Sequence, residues 1–314
     1  MRSGPVVAVL TVCAALRVPA QTPAPFSTAP RLTGYFQPRF ETLGDTASFF
    51  LRRVRFAVEG NVTPWASYRA QIEMSTNGVG VAAAGPLTFS ATDVFIRLAH
   101  RAWGATVGQF KVPFSLESLL GASVLETGER SRIVNAAKRD IGVQADWTLA
   151  GRLALQASVV DGEGPNRAVN ADNRMAYFAR AVVTPVRGLD LGGAFEGYSD
   201  SAGANVQGLY RSGRWTGRAE YIDEYNRRSH VHTRGWYGLA GYYAIPQRVE
   251  LVGRVEQFDP SDLVATDRST GYLIGLQYFM RGDNFKILAD YEAFREQAVQ
   301  VSNNRSVVQM QVRW

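Results

Sequence analysis

From Arg31 to Trp314, apolar and polar residues alternate with a period of two, in stretches of about ten residues broken by Gly, Pro, Asn and Asp. In Arg53-Val54-Arg55-Phe56-Ala57-Val58-Glu59, one face carries Val54, Phe56 and Val58, and the other carries Arg53, Arg55 and Glu59. Asp93-Val94-Phe95-Ile96-Arg97-Leu98, Lys286-Ile287-Leu288-Ala289-Asp290-Tyr291-Glu292 and Val308-Gln309-Met310-Gln311-Val312-Arg313-Trp314 repeat the pattern. Successive side chains of a strand point to opposite faces, so each segment predicts a strand with one apolar and one charged face. The predicted strands are 31–40, 48–59, 65–74, 92–100, 103–112, 139–148, 152–161, 174–184, 189–198, 204–212, 215–224, 234–244, 249–258, 270–279, 284–294 and 305–314, sixteen in all.

A soluble sandwich also alternates, but its strands are typically about five or six residues long. Strands of about ten residues are long enough to cross a bilayer when tilted. With lipid on the apolar face, every backbone donor and acceptor must be paired, which requires a closed barrel with an even number of antiparallel strands. The pattern therefore predicts an all-β fold, a 16-stranded antiparallel transmembrane β-barrel over residues 31–314, with fourteen or eighteen strands as the neighbouring alternatives. Sixteen strands enclose an aqueous lumen.

The segment before the barrel has a different grammar. Arg2, the apolar stretch Val6 to Leu16 and the small-residue end Val18-Pro19-Ala20 form the three parts of a secretory signal peptide, here 1–20, with 21–30 as a short linker. The apolar stretch is about half of what a spanning helix needs. Cys13, the sole cysteine, falls within this leader, so the mature chain has no thiol; Val12 before it argues against lipidation. The net charge of +6 drops by two when Arg2 and Arg17 leave, and the basic residues are scattered without a Lys/Arg run, which argues against nucleic acid as a partner. Trp65, Trp103, Trp147, Trp215, Trp236 and Trp314 fall at or near predicted strand ends, where aromatic girdles meet lipid headgroups.

Between Pro113 and Lys138 the alternation stops for a length far beyond an ordinary connection, and a short helix-like stretch, Phe114-Ser115-Leu116-Glu117-Ser118-Leu119-Leu120, precedes a charged cluster, Glu126 to Arg132. Such a loop either folds inward and narrows the lumen or covers the barrel mouth as a flap.

The segments Phe50–Gly60, Val107–Glu117, Glu129-Arg130-Ser131 and Arg139-Asp140-Ile141-Gly142-Val143 closely resemble, in order and spacing, the phosphate-selective porin O and P family. The resemblance runs from about residue 31 to the C-terminus. It implies an outer-membrane porin of a Gram-negative bacterium, a homotrimer set in outer-membrane lipid, an inward-folded long third extracellular loop, and uptake of inorganic phosphate, polyphosphate or other small anions. It also implies that the pore constriction and anion-binding residues are Lys111, Arg130, Arg132, Gln109 and Glu129. Where the best-known members concentrate lysine at their anion sites, this chain has only Lys111, Lys138 and Lys286 against many arginines.

A narrow, basic, low-dielectric passage concentrates anions, and arginine adds a planar fork that matches phosphate oxygens in pairs. On the lumen wall the alternation places Arg53, Arg55, Arg69, Arg97 and Arg180, together with Arg218, Arg254 and Lys286. It places nearly as many acids there, among them Glu59, Glu73, Asp146, Glu220, Glu256, Asp290 and Glu292, so cross-strand pairing is expected to cancel much of the wall charge and leave selectivity to the loop. No enzyme or cofactor is indicated. The histidines, His100, His230 and His232, sit at strand ends or in a loop with no third ligand for a metal, and Asp161 to Asn166 reads as a polar turn. A weakly selective general porin and a plugged, surface-binding barrel are the competing readings.

Overall fold

The structure is a computed structural model that describes residues 27–75, 88–134, 138–167 and 169–314. The signal peptide read at 1–20 lies outside the described residues. The strands are β1 (Arg31–Leu43), β2 (Thr46–Thr63), β3 (Ala66–Ser75), β4 (Thr88–His100), β5 (Trp103–Lys111), β6 (Arg139–Leu149), β7 (Leu153–Val160), β8 (Ala176–Val186), β9 (Leu189–Gly197), β10 (Ser201–Ser212), β11 (Trp215–Asn226), β12 (Val231–Ile245), β13 (Val249–Asp259), β14 (Ser269–Phe279), β15 (Phe285–Glu296) and β16 (Arg305–Arg313). Each pairs antiparallel with its sequence neighbour, and β1 pairs with β16, closing the barrel. All sixteen predicted strands are present, and the main differences are extensions such as β2, which runs to 18 residues. Among the described residues, no helix is long and apolar enough to cross a membrane.

Burial alternates with the sequence pattern, inverted with respect to a soluble protein. Along β13, Glu250, Val252, Arg254 and Glu256 are buried, while Leu251 and Val255 are exposed. Charged groups face inward and apolar ones outward, as a lipid-facing wall requires. Connections after even-numbered strands are short turns, such as 64–65, 101–102, 150–152 and 246–248. The long connections 112–138, 161–175 and 260–268 all follow odd-numbered strands, so the barrel has a short-turn end and a long-loop end. Trp65, Trp103, Trp147, Trp215 and Trp314 gather at the short-turn end, and Trp103 lies directly opposite Trp147. Trp236 departs from the expectation: it sits within β12, opposite Tyr221.

Two backbone features prepare the lumen for what it holds. Between β1 and β2 the register passes from Gln37 opposite Arg53 to Pro38 opposite Leu51, leaving Arg52 as the extra residue of a bulge. Proline has no ladder N–H to offer, and a bulge turns consecutive side chains the same way. In β5, a Cβ at Gly104 would stand 2.6 Å from the Arg97 guanidinium and 2.8 Å from the Asp146 carboxylate. Only a glycine lets that pair bridge from β4 to β6 across β5.

Candidate functional site

The connection 112–138 begins as a continuation of β5 and then crosses to the inward faces of distant strands. It holds one short helix, α1 (Leu116–Leu119), and a 3-10 turn, Ala122–Val124. Its apolar ends, Val112, Phe114, Ile133 and Val134, pack in one buried cluster with wall residues that include Val160, Phe178, Ile222, Leu239 and Val252. The apolar lumen-facing residues Val160, Phe178 and Ile222 interrupt the expected polar inner face, and this loop is what covers them.

On β11, the Glu220 carboxylate accepts from the backbone N–H groups of Leu116 (2.7 Å) and Glu117 (2.9 Å) and from the Tyr237 hydroxyl (2.7 Å). Arg218 on the same strand donates to Glu117 at 2.9 Å and Glu126 at 2.6 Å, all three side chains being removed from solvent. On the β13, β15 and β16 side, Arg254 donates to the Glu129 carbonyl at 2.9 Å, Asp290 accepts the Gly128 N–H at 2.6 Å, Lys286 donates to the Leu125 carbonyl at 3.1 Å, and Gln311 to the Ser123 carbonyl at 2.9 Å. A segment bonded at once to β1, β2, β11, β13, β15 and β16 lies across the inside of the wall.

Glu129 is the densest of these anchors. Arg39 of β1 donates to it at 2.6 Å, and the bulge brings both Arg52 (2.5 Å) and Arg53 (3.3 Å) of β2 onto the same carboxylate. Burial alone would raise the Glu129 acid, but Arg53, Arg52 and Arg39 hold it well below the usual carboxylate range. A depressed folded-state value means that the tether is at full strength above the ordinary carboxylate range and is lost only as pH falls through the lowered value. Single-channel conductance measured down a pH series should therefore show no change from this anchor until pH is well below that range; a Glu129→Gln variant, lacking the carboxylate, should lose the acid transition.

Lys111 and Arg130 are brought together. The Lys111 ammonium donates to the carbonyls of Ser118 (2.9 Å), Leu119 (3.2 Å) and Leu120 (2.8 Å), closing the C-terminal end of α1. Arg130 donates to the same Leu120 carbonyl at 2.9 Å and to that of Glu117 at 3.0 Å. Neither forms an ion pair with a carboxylate among the described residues, so two basic side chains converge on one neutral acceptor.

The other predicted residues stand elsewhere. Arg132 lies over the Phe294 ring at 3.6 Å and donates to Ser269 at 3.0 Å, near the long-loop end. Gln109 shares its register with Val94 and Ile141, and it is occupied by the carbonyls of Ala91 and Thr92 and by the N–H of Asn166, so it fastens the 161–175 connection. On the wall, Arg55 pairs with Glu73, Arg69 with Glu59 at 2.5 Å, and Arg97 with Asp146 through two bonds of 2.6 and 2.8 Å. Among the described residues, Arg180 is held by the Gln156 and Gln207 amides and by no carboxylate. Sequence reasoning missed Arg39, Arg52, Glu117 and Glu126 as anchors. The signal that was available was the loop's own acids, which face a lumen rich in arginine.

A family model for phosphate-selective porin O and P matches residues 33–229 and 187–314, which together take in nearly all of the barrel. The chain belongs to the phosphate-selective porin O and P family. It is thus an outer-membrane porin, a channel protein of the Gram-negative outer membrane. Among solved structures, it is similar to OmpT of Vibrio cholerae in its trimer form (TM-score 0.68, 11% identity, covering 91% of this chain and 99% of that one). It is also similar to the outer membrane channel DcaP of Acinetobacter baumannii (TM-score 0.65, 11% identity, 91% and 97%) and to a mutant of the Rh. blastica porin (TM-score 0.64, 17% identity, 91% and 100%). At these identities the likeness is one of fold. No curated protein sequence matches this porin.

Proposed function

We propose that this porin passes small anions, inorganic phosphate or polyphosphate among them, through a lumen narrowed by residues 112–138, with Lys111 and Arg130 as its anion-attracting step. The observation that carries this reading is the convergence of those two cations on the Leu120 carbonyl without an acid partner, while most wall arginines are neutralised by carboxylates. A pore conducts when attraction is enough to admit an ion but not to hold it, and two amide-bound cations on one side of a loop meet that condition better than a closed ring of charge. The mature barrel would begin after the 1–20 leader and the 21–30 linker, with the long-loop end outward and the apolar wall in outer-membrane lipid. Family membership and the trimer form of the OmpT neighbour support assembly as a homotrimer.

In planar bilayers, the purified porin is expected to give discrete ohmic openings and, in a KCl gradient, a reversal potential on the anion side of zero. A folded but silent barrel would overturn the channel reading, and a cation-side potential would overturn the anion step. Native mass measurement after mild detergent extraction is expected to find three chains per particle; a single chain would remove the trimer.

A further inference from the structure

On the short-turn side of the loop lies a cavity of about 350 Å³ between Glu126 and the wall. Its wall residues include Arg211 of β10, Tyr243 of β12, Glu250 of β13, Gln277 of β14 and Lys286 of β15. Tyr243, Glu250 and Gln277 lie in one register across three adjacent strands, so they form a row along the inner face. Two of the cavity's acids are already answered, Glu126 by Arg218 at 2.6 Å and Asp283 by Lys286 at 2.9 Å. Glu250 forms no ion pair among the described residues; its carboxylate accepts one bond, from the Gln277 side-chain nitrogen at 3.1 Å. That bond fixes the Gln277 amide with its oxygen turned away from Glu250, and this oxygen, on a residue only 1% exposed, has no hydrogen-bond partner among the described residues. A buried acceptor without a donor is costly and calls for one. Arg211, exposed at the end of β10, has no carboxylate partner among the described residues.

We propose that this cavity is a subsite for a small amino-acid-like zwitterion, its ammonium group donating to Glu250 and the Gln277 oxygen and its carboxylate meeting Arg211. The proposal rests on reading the barrel as an open channel, and it adds to the anion step a station of opposite preference on the other side of the loop. An ammonium has three donors and suits a row of carboxylate, amide oxygen and hydroxyl acceptors, while the cavity volume admits only a small solute.

The test is uptake of radiolabelled L-alanine into proteoliposomes containing the full-length porin, with its N,N,N-trimethyl derivative as a probe that keeps both charges but has no N–H to donate. Alanine uptake is expected to saturate, and that of the trimethyl derivative to stay linear. Glu250→Gln, which preserves shape, should raise the alanine half-saturation concentration at least about tenfold, the effect of losing a charge-assisted hydrogen bond. Gln277→Leu should raise it as well, with chloride conductance unchanged in both variants as the check on folding. Linear alanine uptake with normal chloride conductance, equal behaviour of the two probes, or a Glu250→Gln variant with wild-type saturation would each overturn the subsite alone. Absence of both uptake and conductance would overturn the channel reading on which it rests.

Discussion

Replacing Lys111 and Arg130 together by glutamate is expected to swing the reversal potential of this porin from anion toward cation preference, while Arg132→Glu alone leaves it near wild type. The family resemblance groups all three residues at one constriction. The structure divides them: Lys111 and Arg130 meet at the Leu120 carbonyl, whereas Arg132 is stacked on Phe294 beside Glu296 and Ser269. At an effective dielectric near 20, a unit charge about 5 Å from a passing ion is worth about 3 kcal/mol before salt screening. Reversing two such charges should move the anion-to-cation permeability ratio at least about tenfold. Lys111→Gln with Arg130→Gln should fall between, since the charge is removed without being reversed. An unchanged reversal potential in the double glutamate variant, with conductance intact, would show that ions do not pass this point and would return the search for selectivity to Arg180 and the wall.

The barrel was legible because lipid on one side and water on the other impose a strict two-residue period, and that period needs no knowledge of distant contacts. Strand β13 shows the limit of the same logic. Its alternation marks Arg254 and Glu256 as inward, but nothing local tells that Arg254 also donates to the Glu129 carbonyl on a loop far away in sequence. The pairing of wall charges was foreseeable for Arg55 with Glu73 and Arg69 with Glu59, which sit on adjacent strands. Arg97 with Asp146 was less so, since it depends on Gly104 leaving room across an intervening strand. Arg52 was hidden for a comparable reason, because alternation assigns it outward and only the bulge opposite Pro38 turns it toward Glu129. All three lysines of the chain touch the loop or its end: Lys111 at the close of α1, Lys286 on the Leu125 carbonyl, and Lys138 between Glu196 at 2.7 Å and Glu224 at 2.6 Å. Their scarcity looked like a departure from the family's lysine-rich anion sites. In the fold they serve to fasten the loop as much as to attract ions.

The same contacts change what is expected of Arg218, which alternation alone presents as one wall charge among many. Its side chain is fully buried, and its two partners, Glu117 and Glu126, both belong to the loop. Removing one member of a buried ion-paired set leaves uncompensated charge and typically costs about 3–5 kcal/mol, and here two carboxylates would be stranded. Arg218→Met is therefore expected to release this side of the loop, because carrying Glu117 and Glu126 to water is the least costly relief. The measurable result should be a larger and noisier single-channel conductance, a higher size limit in liposome swelling, and a barrel that still migrates as folded, since the strand ladder of β11 is untouched. Combining Arg218→Met with Glu117→Gln and Glu126→Gln removes the stranded charges and should return conductance toward wild type. If Arg218→Met kept the wild-type size limit, the Glu220 bonds to Leu116 and Glu117 and the arginine cluster on Glu129 would suffice to hold the loop. The corresponding lesion would then have to be made at Glu220, where two backbone N–H groups at the start of α1 lose their acceptor at once.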